Sequence, residues 1–146
     1  MAHRRHGLRR GRRGRAAGPI SSAAGTEPGP AAVRDDSLTI PTGGRLHYQC
    51  QGAGSPAVIL EAGGAGAGSF SSTFTDPLAA VTTVCTYDRL GLGSSSSPPN
   101  RVRALDDMCE VQDELIAGLG LPAPYVLMGQ SLGGNIVIWC AARHTR

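Results

Sequence analysis

The sequence predicts an α/β fold, a mostly parallel β-sheet with helices on both faces. Three observations predict it. From residue 37 onward, short β-branched apolar runs alternate with stretches of helical periodicity. Residues 105–119 place apolar side chains on one helical face and Asp and Glu on the other. A glycine-flanked serine, Ser131, stands between an apolar strand-like run and an apolar helical one.

Each element follows in chain order. "SLTI" and "RLHYQC" read as two strands joined by the turn "PTGG", a hairpin. "AVILE" is a continuous apolar run, as expected of a strand buried on both faces. Phe70, Phe74, Leu78 and Val81 recur at helical spacing, and Pro77 shortens or kinks that helix. "TTVCTY" is strand-like, and "DRLGLGSSSSPPN" is a long Gly/Ser/Pro loop. In residues 105–119, Leu105, Met108, Val111, Leu115 and Ile116 form the apolar face, with a stop near Gly118–Gly120. "PYVLMG" reads as another buried strand, and "LGGNIVIWCAARH" as the helix directly after Ser131.

The 146 residues amount to one domain at most. The charge of +3 is concentrated at the start: seven of the fourteen arginines lie in residues 1–15. Without them, seven arginines face eleven acidic side chains, a net of −4. Residues 1–36, Arg-rich and then Ala/Gly/Pro-rich, hold too little apolar surface to fold and are expected to be a disordered tail. The acidic body, and a tail without aromatic residues to stack on bases, give no nucleic-acid partner. A twin-arginine export signal needs an apolar stretch of roughly 7–15 residues, which the tail lacks, so a cytoplasmic location is expected. No apolar run approaches the roughly 20 residues of a membrane span. Cys50, Cys85, Cys109 and Cys140 have no metal-ligand spacing and read as small buried hydrophobes, with no metal site.

Gly129-Gln130-Ser131-Leu132-Gly133 fits G-x-S-x-G in its required setting, a strand before and a helix after. That turn strains the serine backbone and needs Gly129 and Gly133 where segments crowd. The helix start aims N–H groups at the serine, placing the Leu132 N–H as one oxyanion donor.

Three stretches in order, "VILEAGGAG", "YDRLGLGSS" and "GQSLGG", resemble the third strand with its oxyanion loop, the turn after the fourth strand, and the nucleophile elbow of the α/β-hydrolase family, of the esterase, lipase or peptidase kind. The resemblance covers residues 37–146. It implies that Ser131 is the nucleophile of an acyl transfer, since relatives that cleave epoxides use Asp there. It also implies that Gly64, with Ala65 as neighbouring candidate, supplies the second oxyanion N–H. Ala62-Gly63 stands where many members have His-Gly, and Gln130 where His is frequent. No cofactor is implied, and the partner is a small-molecule acyl substrate.

In this family the acid and the histidine follow the serine. No Asp or Glu follows Ser131. His144 is thirteen residues on in the same helix, roughly 20 Å along its axis. His47 falls in a strand, and Asp88 reads as a turn-capping carboxylate. The catalytic acid and base are therefore expected outside this chain, with little turnover by these residues alone. "PYVLM" would then form an exposed sheet edge, open to pairing with another chain. The alternative reading is a non-catalytic half-domain acting as a binding or interaction module.

Overall fold

The alternating runs resolve into a five-stranded sheet in a computed structural model, which describes residues 33–99 and 103–144. In chain order the elements are β1 (Arg34–Thr39), β2 (Arg45–Gln51), β3 (Ala57–Glu61), a 3-10 turn (Ala67–Ser69), α1 (Ser72–Ala79), β4 (Val84–Tyr87), α2 (Leu105–Leu119), β5 (Tyr125–Gly129) and α3 (Leu132–His144). The strand order is β1-β2-β4-β3-β5. β1 and β2 form the expected antiparallel hairpin, and β2 pairs antiparallel with β4. β3 runs parallel to both β4 and β5, so the three strands nearest the serine share one direction.

Period-2 alternation along the strands divides the core between the two faces. Ile59, Cys85 and Tyr87 point to one side and pack with Val111, Leu115 and Ile116 of α2. Val58, Leu60 and Val84 point to the other and pack with Phe70, Leu78 and Ala79 of the α1 layer. β3 is buried at every position, as its apolar run predicts. α2 stops at Gly120, whose φ of 65° is a left-handed cap. Its interior Gly118 exists because Leu38 sits against it: a Cβ there would lie 2.2 Å from the Leu38 side chain.

Four readings change. β1 begins at Arg34, so the folded part starts three residues before the expected boundary; residues 1–32 of the expected tail lie outside the described residues. The helix expected from Phe70 to Val81 starts at Ser72 and ends at Ala79, and Val81 is exposed. β5 is not buried on both sides. It is the sheet edge among the described residues, the exposed edge expected of "PYVLM", and Val126 and Met128 are 42% and 38% exposed. The cysteines are not free hydrophobes: Cys50 pairs with Cys85 and Cys109 with Cys140. Spacings of 35 and 31 residues hide what the fold brings together. Cys50 and Cys85 face each other across β2 and β4, while Cys109 and Cys140 join α2 to α3 in a small cluster around Ile136.

Candidate active site

Ser131 sits between the end of β5 and the start of α3 with φ 55°, the single non-glycine residue of positive φ among the described residues. Such a backbone costs about 1–3 kcal/mol and persists where its surroundings impose it. The surroundings here are tight backbone contacts. A Cβ on Gly129 would lie 2.3 Å from the Gly133 carbonyl oxygen. A Cβ on Gly133 would lie 2.0 Å from the carbonyl oxygen of Glu61. The Gln130 N–H donates to that same Glu61 oxygen at 3.0 Å, which carries the β3–β5 pairing to the edge of the turn. Both glycines of the motif are thus required by close approach.

The loop after β3 lies against the serine. A Cβ on Gly63 would stand 3.4 Å from Ser131 Cβ and 3.9 Å from Ser131 Oγ. The Gly66 N–H donates to Gly63 O at 3.4 Å, closing a turn whose central residues are Gly64 and Ala65. That turn uses neither central N–H. Gly64, Ala65 and Ser131 are exposed, and nothing stands within 4 Å of a Cβ placed on Gly64. Leu132 is the first residue of α3, whose first turn holds no acidic side chain. Its N–H belongs to the donor-rich positive end of that helix. Ser131, Gly129, Gly133, Leu132 and the Gly63–Gly64 loop are therefore neighbours. A cavity of about 340 Å³ lies elsewhere, between α1 and the β2–β4 face, and Ser131 is not in its wall.

Neither histidine among the described residues, His47 or His144, is brought to Ser131. His144 ends α3 and bonds Asp113 at 2.9 Å, a full helix length away. His47 is held between two carboxylates, with Nε2 2.7 Å from Asp35 and Nδ1 3.1 Å from Asp88. Hydrogen bonds from Gln49 and His47 keep the Asp35 carboxyl below its usual range. Asp88 is a turn carboxylate: it accepts the Ala67 N–H at 3.1 Å and the Ser94 N–H at 3.0 Å. No group of three or more His, Cys, Asp or Glu fit to hold a metal occurs among the described residues. Nor is any helix among them long and apolar enough to cross a membrane.

Sequence reasoning missed a buried polar cluster behind the loop. Glu61 is fully buried. It accepts the Arg89 guanidinium at 2.6 Å, the Tyr87 hydroxyl, and the Gln112 amide at 3.0 Å. Arg89, 5% exposed, also donates to the carbonyls of Ala62 and Gly63. Burial pushes the Glu61 carboxyl above its ordinary range, against the pull of Tyr87 and Arg89. Burial likewise holds Tyr87 well above the usual phenol range, so it stays a donor. The signal was present in "AVILE", a carboxylate ending a strand otherwise apolar throughout.

Comparison with known proteins bears on the fold. The family model described as "alpha/beta hydrolase fold" matches residues 56–146. A hydrolase from Pseudomonas aeruginosa superposes with a TM-score of 0.66 at 28% identity, over 73% of this chain and 40% of that one. A membrane phospholipase A, described as a bacterial virulence factor, superposes with a TM-score of 0.68 at 25% identity, over 77% and 36%. A protein of Hormonema carpetanum described as "Probable transporter efuK" is 34% identical over 85 residues, which are 56% of this chain and 12% of that protein. The chain thus spans well under half the length of each of these three.

Proposed function

The chain belongs to the α/β-hydrolase fold family, and from that premise we propose that it carries the nucleophile half of a serine hydrolase acting on ester or other acyl bonds of small molecules. The supporting observation is Ser131 at φ 55°, exposed, between β5 and α3, with the Gly63–Gly64 loop against it. In the reaction, Ser131 Oγ attacks the acyl carbon while a base takes its proton. The oxyanion forms facing the N–H groups of Gly64 and Leu132, donors that cost no reorganisation because backbone fixes them. Expulsion of the leaving group gives an acyl-enzyme, which water then cleaves. In this reading the histidine base and its acid come from outside these 146 residues: no Asp or Glu follows Ser131, and the two described histidines, His47 and His144, are engaged elsewhere. The 146 residues alone accordingly give little or no turnover. The chemistry needs no cofactor.

A fluorophosphonate probe with peptide mass analysis tests this reading. The protein expressed together with the coding sequence downstream of Arg146 is expected to label at Ser131, and Ser131→Ala to abolish labelling. Labelling at another residue, or none in the extended protein, would refute it.

A further inference from the structure

Resting on the acyl-transfer reading of Ser131, we propose that Arg89, anchored by Glu61, is a positioning residue that fixes the Gly63–Gly64 peptide so that its N–H faces the space above Ser131.

The argument starts from peptide geometry. In a trans peptide the C=O and the following N–H point in opposite directions. The cis bonds among the described residues are two X-Pro bonds, so Gly63–Gly64 is trans. Arg89 Nη2 holds the Gly63 carbonyl from the buried side. The Gly64 N–H, on the same peptide unit, is therefore driven to the opposite, exposed side. Arg89 Nη1 holds the preceding carbonyl, that of Ala62, and so two successive peptide planes are fixed by one guanidinium. Besides Arg89, the Gly63 carbonyl meets the long 3.4 Å turn hydrogen bond from the Gly66 N–H, and Gly63 and Gly64 are consecutive glycines, the residue type with the widest backbone freedom.

A guanidinium suits this task and an ammonium does not. Its donors lie in one rigid plane and can span a carboxylate and two carbonyls together. Glu61 sets that plane, and Tyr87 and Gln112 hold Glu61 from behind. Glu61 is also the last residue of β3, and its backbone carbonyl meets the serine turn through Gln130. One residue thus references the loop and the elbow to the same strand end. The positive charge on the Gly63 carbonyl further polarises the peptide, making the Gly64 N–H a stronger donor to a developing oxyanion.

The test is the rate of fluorophosphonate labelling of Ser131 in the full protein, resolved into probe affinity and maximal rate. Arg89→Ala is expected to lower the maximal rate about 100-fold, the loss typical of one oxyanion donor, with probe affinity unchanged. Millimolar guanidinium is expected to restore part of that rate, and methylammonium none. Arg89→Lys keeps the charge and is expected to remain slow. A folded Arg89→Ala protein labelling within threefold of wild type would overturn the proposal, as would rescue by both cations alike. Should Arg89→Ala fail to fold, Glu61→Gln decides: faster amide exchange across residues 62–66 supports the anchor, and unchanged exchange overturns it. If wild type itself does not label, the acyl-transfer reading fails, while amide exchange in the same variants still reports whether Arg89 fixes the loop.

Discussion

Gly133 backs directly onto the carbonyl oxygen of Glu61, so closely that a Cβ would stand 2.0 Å from it. The first turn of α3 is therefore seated on the end of β3, and the two chain segments that flank Ser131 share one point of contact. Gly133→Ala must push α3 off the strand. It is expected to cost about 3 kcal/mol, the upper end of overpacking penalties, read as a lowered urea midpoint. A midpoint within 0.5 kcal/mol-equivalent of wild type, roughly the range of neutral surface changes, would mean the contact is not that close.

The two disulfides carry a second prediction. Each closes a loop of about thirty residues, and chain-entropy reasoning assigns roughly 3–4 kcal/mol to such a link. Thiol titration of the denatured, unreduced protein is expected to find no free thiol, and reduction to lower the unfolding midpoint. Four titrating thiols would return the cysteines to the role of buried hydrophobes. Disulfides persist in oxidising surroundings, so the pairing pulls against the expected cytoplasmic location, and the titration bears on both.

The buried Glu61 predicts a pH dependence of defined sign. Its folded pKa is raised above the unfolded value, chiefly by burial. Its contribution to stability is therefore full below the ordinary carboxylate range and is lost as pH rises through the folded pKa. Glu61→Gln removes this titration but also removes the charge partner of Arg89. The variant is expected to be less stable than wild type throughout, with the gap narrowing as pH rises from about 4 towards 8. A gap that widens over that range would contradict the assignment. Thermal melts at closely spaced pH values measure it.

How far the fold was legible follows from what each residue type announces. The β-branched runs of β3 and β4 and the two-faced pattern of α2 declared their elements because periodicity is a local property. The serine turn was legible for the same reason, since its glycines are demanded by contacts within a few residues and by one strand end. The clamp on the loop was not. Arg89 and Glu61 are 28 residues apart, and neither residue type says alone that it will be buried. The apolar run of β5 reads as a buried strand, but its place at the sheet edge is expected where no further strand pairs with it, and that place leaves Val126 and Met128 exposed.

That edge gives a further prediction. Val126 and Met128 are exposed on β5, and the groove beside it is lined by Tyr125, Leu127 and Ile138. An apolar unpaired edge invites strand pairing. The 146-residue chain is expected to self-associate in light scattering, and Val126→Lys to shift it towards monomer. A monodisperse wild-type monomer that unfolds cooperatively would oppose this.

The most direct test of the central claim is covalent labelling of Ser131. The account predicts that a fluorophosphonate modifies Ser131 in the protein extended past Arg146, that Ser131→Ala removes the adduct, and that the 146 residues alone label weakly or not at all. An extended protein whose adduct maps to any other residue, or that forms none, would contradict it.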